Sequence, residues 1–105
     1  MRIVFKDGVD LDGIQPITIS GMHTVASTYE SWGWGLTVTS VSDGTHSTGS
    51  LHYRGLAFDC RIWDIPLDTL PAFVRHLKQV LGDEWDVVWH PVSHKTHIHV
   101  EYDPK

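Results

Sequence analysis

Residues 97–101 read His97-Ile98-His99-Val100-Glu101, an ionisable side chain alternating with an apolar one at every step. A helix cannot use that pattern, because period two belongs to an extended chain. The segment is therefore expected to be a strand, with Ile98 and Val100 in a core and His97, His99 and Glu101 sharing the opposite face. Glu84 to His90 and Thr96 to Tyr102 read as two strands joined by Pro91-Val92-Ser93-His94-Lys95, most economically a hairpin.

Upstream, the period changes. Residues 68–81 carry Leu70, Phe73, Val74, Leu77, Val80 and Leu81 at helical spacing, with Asp68 as cap, Pro71 in the first turn and Gly82 past the end. Between Ser20 and Trp32, the residues Met22, Val25, Ala26, Tyr29 and Trp32 recur every three or four positions, and Ser20 is placed as the N-cap. Leu36 to Val41 alternates as a strand with Leu36, Val38 and Ser40 on one face. Leu56 to Ile62 is a second strand, with Phe58, Cys60 and Ile62 on one side and Ala57, Asp59 and Arg61 on the other. The stretch before Pro16, with its two Asp-Gly turns, reads as a strand-poor lead-in, and 42–50 as a small polar loop. Helix, strand, strand, helix, strand, strand is not the alternation of a doubly wound sheet. An α+β fold with a mostly antiparallel sheet and flanking helices is expected, in one domain covering residues 1–105.

Composition narrows the function. An apolar fraction of 41% is that of a folded domain, while a formal charge of -5 offers no basic footprint for nucleic acid or anionic lipid. No stretch approaches the apolar length of a membrane span, and the N-terminus lacks the apolar run of a secretory signal, so a monomer that is cytoplasmic as synthesised is expected. The lone Cys60 has no internal disulfide partner and is placed as a small buried residue. Eight histidines in 105 residues, four of them between His90 and His99, raise the expectation of a metal or acid–base site.

One such site can be assembled. Ser50-Leu51-His52-Tyr53-Arg54-Gly55-Leu56-Ala57-Phe58-Asp59 sets a His and an Asp seven residues apart across a glycine, so a loop entering a strand can bring both to one point. With a histidine of the alternating strand, His97 or His99, two imidazoles and a carboxylate leave a fourth zinc position for water, the arrangement of catalytic zinc. Hydrolysis is the natural chemistry of such a centre.

These residues resemble the zinc D-alanyl-D-alanine peptidases and related peptidoglycan endopeptidases, which share their fold with the hedgehog signalling domain. The run Ser50-x-His52-x-x-Gly55-x-Ala57-x-Asp59 matches that family's signature in full, and His97-x-His99 resembles the terminal His-x-His of one branch; the similarity spans residues 36–102. The resemblance implies a hedgehog/DD-peptidase-like fold and one Zn2+ held by His52, Asp59 and His99, with His97 as acid–base or oxyanion-stabilising group. Glu101 is then either the base or a residue that orients a ligand. The substrate implied is a peptidoglycan stem peptide, cut by a D,D-carboxypeptidase or endopeptidase. Compact size and the missing leader suit a phage lysis enzyme acting on the cell wall after release. The alternative is a non-catalytic, zinc-containing module that binds peptide or protein.

One departure bears on substrate. Where the family commonly has an aromatic residue and a carboxylate-holding Arg after Thr-Ser, Thr39-Ser40 is followed by Val41-Ser42-Asp43, leaving Arg54 and Arg61 as candidates for that role. Among the other histidines, His46 reads as a solvated loop residue, His23 and His76 as helix-surface residues, and His90 and His94 as equally suited to the cleft rim or to solvent. The five tryptophans are expected mostly in the core, Trp89 being the one placed to wall the site.

Overall fold

The computed structural model describes residues 2–42, 54–92 and 94–104. In chain order these form β1 (Ile3–Phe5), α1 (Pro16–Ser31), β2 (Leu36–Ser40), β3 (Ala57–Arg61), α2 (Leu70–Leu81), β4 (Trp85–His90) and β5 (His94–Tyr102). The five strands make one sheet in the order β1-β2-β3-β5-β4. Three neighbouring pairs are antiparallel and β1–β2 is parallel, so the α+β class stands and the sheet is mixed. That parallel pair corrects the strand-poor reading of the lead-in. Three residues are too few to show a period, and β1 exists because Ile3 to Phe5 find partners in Leu36 to Val38.

Both helices lie against the same face. Met22, Val25, Ala26 and Tyr29 of α1 and Leu70, Phe73, Val74 and Leu77 of α2 pack with Leu36, Val38, Phe58, Cys60, Ile98 and Val100 in one core. The strand residues are in mutual register (Val38 with Cys60, Cys60 with Ile98, Phe58 with Val100), so they project to one side. The expected alternation at 97–101 is thus realised, with Ile98 and Val100 fully buried. Val80, read as part of the α2 stripe, is instead exposed, while Leu81 packs against the core's edge.

Neither helix starts at the capping residue its sequence suggests. α1 begins at Pro16, and Ser20 lies inside it with its carbonyl accepting from Thr24 Oγ1 at 3.3 Å. The start is set by Pro16 in the first turn, whose fixed φ suits that position, and by Gln15, whose extended backbone donates to the Gly55 carbonyl at 3.0 Å. Asp68 does not cap α2: the flanking residue is Thr69, whose hydroxyl lies 3.3 Å from the Asp68 carboxylate. Gly82, at φ +90°, ends α2 as expected.

The β2–β3 pairing contains a bulge. Val38 pairs with Cys60, yet Ser40 pairs with Asp59, so one extra residue is accommodated at Thr39. Ser40 therefore comes opposite Asp59 rather than continuing the Leu36–Val38 row.

A second tie joins α1 to the segment leading into β3. The Thr18 hydroxyl, fully buried, donates to the Gly55 carbonyl at 2.6 Å. Thr18→Val keeps the shape and removes the donor, while the carbonyl retains its bond from Gln15. The expected loss is about 1 kcal/mol, the net worth of one such hydrogen bond, measurable as a lowered urea midpoint at unchanged m-value.

Candidate functional site

The face of the sheet opposite the helices carries the ionisable residues. Antiparallel pairing of β3 with β5 sets Asp59 directly across from His99, Arg61 across from His97 and Ala57 across from Glu101. Residues directly opposite one another share a face. Two segments 40 positions apart in sequence thereby present one contiguous polar row.

At its centre, His99 Nδ1 lies 2.9 Å from Asp59 Oδ1, and His99 Nε2 lies 2.6 Å from Glu101 Oε1. Both ring nitrogens thus face acceptors, which only the doubly protonated imidazolium satisfies in full. Burial by itself pushes the His99 pKa down; the two hydrogen bonds and the charges of Asp59 and Glu101 together outweigh it and raise the pKa above the usual histidine value. Asp59 is 6% exposed, a carboxylate that stays buried because it is partnered. Its second oxygen, Oδ2, stands 3.7 Å from His97 Nε2. His97 is more open, its side chain 30% exposed, and its Nδ1 lies 3.0 Å from Thr96 Oγ1.

The structure thus brings Asp59, His97, His99 and Glu101 together. His52 and His46 lie outside the described residues, as does the side chain of His94. Trp89 does not wall this face; it packs against the core. Cys60 points away from Asp59 into the core, with no exposed surface. Burial, reinforced by the nearby Asp59 charge, pushes its thiol pKa well up. A protonated, enclosed thiol reacts only when the chain opens. Alkylation of Cys60 in the native protein is therefore expected to run more than about a thousandfold slower than in the denatured chain, as followed by mass spectrometry.

Two features were not read from the sequence. Glu101 is also directly across from Asp86 of β4, and Asp86, Glu101 and Asp103 each offer a carboxylate oxygen within 4.8 Å of the others. These three half-buried acids are close enough to share a metal ion, and an all-oxygen set matches a hard cation such as Ca2+ or Mg2+ rather than zinc. The second feature is the stacking of Arg61, already a candidate from the sequence, on Trp63, its guanidinium 3.7 Å above the ring. Neither has a local motif; cross-strand pairing assembles the first, and the turn after β3 assembles the second.

The motif's small residues also acquire reasons. Gly55 sits at φ +70° against the Gly13 carbonyl, where a Cβ would collide with backbone. Ala57, two residues before Asp59, is fully buried at that end of the row. Compared with known proteins, the chain matches neither a protein-family model nor a curated protein.

Proposed function

We propose that this chain is a zinc-dependent peptidase of the D-alanyl-D-alanine peptidase type, with a hedgehog/DD-peptidase-like fold. Asp59 and His99 would hold one Zn2+, with His52 as third ligand. The observation that carries the reading is the direct cross-strand pair Asp59–His99, joining the motif's carboxylate to the alternating strand with donor atoms 2.9 Å apart. Adjacent ligands of tetrahedral zinc, at metal–ligand distances near 2.0 Å, are about 3.3 Å apart, so these donors fit the ion with a small adjustment. Zinc, when bound, supplies Lewis acidity: it polarises a carbonyl and makes a hydrolytic water nucleophilic near neutral pH.

The chain's own residues divide the remaining work. Glu101, bound to His99 Nε2, fits a positioning role, fixing the imidazole so that Nδ1 faces Asp59. His97, oriented by Thr96 and open to solvent, is the group we assign to move the proton at Nε2, taking it from the attacking water and returning it to the leaving amine. The substrate class, a peptidoglycan stem peptide, rests on the motif's resemblance.

The test is digestion of purified peptidoglycan by zinc-loaded protein, with released fragments identified by mass. Stem peptides left intact across pH would count against the substrate class, and equal zinc content in wild type and His52→Ala would overturn the ligand set. Glu101→Ala is expected to weaken zinc affinity roughly 10- to 100-fold, the usual effect of removing a ligand's outer partner, as read by chelator competition. Unchanged affinity would return Glu101 to the role of base.

A further inference from the structure

A second row runs across the strands of the sheet. Val4 pairs with Thr37 and Arg61 with His97, while Thr37 and Arg61 flank the Val38–Cys60 pair. Val4, Thr37, Arg61 and His97 therefore line up over four strands on the face opposite the helices. From Thr37 to His97 is two strand spacings, about 10 Å. The β1 end of this row meets a cavity of about 560 Å³, which none of the proposed zinc ligands lines. That volume falls in the range of ligand clefts, about 300–1,000 Å³.

The lining is mixed. Trp34 and Val4 supply apolar surface, and Trp34 is held by stacking on Trp32 at 5.7 Å between ring centroids and by an edge contact with Phe73 at 5.1 Å. Glu30 and Asp64 bring acceptors and Arg2 brings donors. Among the described residues, the side chains of these three make no hydrogen bond or ion pair.

Gly35 points to an occupant. Of the described glycines, Gly8, Gly13, Gly33, Gly55 and Gly82 have positive φ, and Gly21 lies against the Trp85 ring. Gly35 has neither reason to be glycine: its φ is not positive, and a Cβ there meets nothing within 4 Å. Such a glycine costs chain entropy without relieving the fold, and the remaining use of a bare backbone is close approach by a ligand. Gly35 lines this cavity beside Trp34.

A lining of acids alone selects a cation, and one of bases alone an anion. Unpaired groups of both signs around a rigid aromatic ring suit a neutral ligand with an apolar face and hydroxyls that both donate and accept. A pyranose sugar has that chemistry. We propose that this cavity binds the glycan strand from which the stem peptide hangs, with a sugar ring on Trp34 against Gly35 and its hydroxyls reaching Glu30, Asp64 and Arg2. The source of the sugar rests on the peptidase reading above. A peptide leaving the sugar follows the row past Thr37 and Arg61, and the distance to His97 equals about three extended residues.

The test uses full-length protein and calorimetry with three probes: peptide-free glycan strands from purified peptidoglycan, cellohexaose, and putrescine as a plain organic cation. The glycan strands are expected to bind most tightly, and equally well to zinc-free protein. Gly35→Leu, which fills open space, is expected to weaken that binding about tenfold by displacing the ring from Trp34, at an unchanged urea midpoint. Asp64→Ala weakens it about fivefold, the scale of one lost hydrogen bond. Zinc-loaded wild type is also expected to cut glycan-linked stem peptides roughly tenfold more efficiently in kcat/KM than free ones, a preference that Gly35→Leu brings close to one. Glycan that does not bind, or binds Gly35→Leu as tightly as wild type, overturns the assignment. So do tighter binding of putrescine, a lowered midpoint in Gly35→Leu, and equal turnover of linked and free peptides. Tighter binding of cellohexaose overturns the wall glycan as the source. Glycan binding that Gly35→Leu removes, with no hydrolysis of either peptide, supports the cavity and overturns the peptidase reading instead.

Discussion

His99→Ala is expected to strip the protein of zinc and reduce amide hydrolysis to background. The magnitude follows from what the ring touches. Removing an outer partner of a metal ligand already costs roughly 10- to 100-fold in metal affinity or activity, and His99 is proposed as the ligand itself, lying between Asp59 at 2.9 Å and Glu101 at 2.6 Å. Its loss therefore costs at least about a hundredfold. It also removes the nearest partner of Asp59, a carboxylate only 6% exposed. Metal content by atomic spectroscopy and turnover on peptidoglycan check the two halves separately. A His99→Ala protein that retains one zinc per chain would place the ion elsewhere, with the Asp86, Glu101 and Asp103 cluster next to be examined by substitution.

The second large effect concerns folding. Gly55→Ala is expected to destabilise the domain by roughly 2–5 kcal/mol, the sum of a left-handed backbone penalty and an overpacking penalty. Gly55 has φ +70°, and its Cβ would run into the Gly13 carbonyl and the Ile14 backbone. No flexible side chain can give way there. The site is also a junction, because the Gly55 carbonyl accepts from both Gln15 N and Thr18 Oγ1, tying the start of α1 to the entrance of β3. Relief by backbone movement would loosen α1 and shift the strand that carries Asp59. For a domain of this size the corresponding fall in Tm is about 10 °C or more, with peptide hydrolysis falling alongside it. Full stability would show that the chain passes Gly13 less closely than the structure has it.

What was legible in the sequence was whatever local periodicity encodes. The row His97 to Glu101 could only be a two-faced strand, and Ile98 and Val100 are buried as that demands. The α2 stripe and its terminal Gly82 could be read in the same way, since a helix and its stop are written within a dozen residues. β1 could not, because a three-residue edge strand owes its existence to Leu36 to Val38 rather than to its own pattern. Nor could the face on which Ser40 lies, which depends on a bulge that appears only when β2 and β3 are paired.

The candidate site divides along the same line. Residue types and motif spacing singled out Asp59, His97, His99 and Glu101. Strand register decided which of them touch: Asp59 meets His99 because those two residues are opposite in β3–β5, and Glu101 closes the other side of the same ring. Asp86 and Asp103 entered only through the fold, as did the stacking of Arg61 on Trp63, since those neighbours come from pairing and a turn. By itself, the sequence determined which strand had two faces and which side chains were candidates for the chemistry, because alternation and composition are properties of a local segment. Only the tertiary structure decided the order of charges along that face, because the order depends on how segments 40 residues apart are aligned.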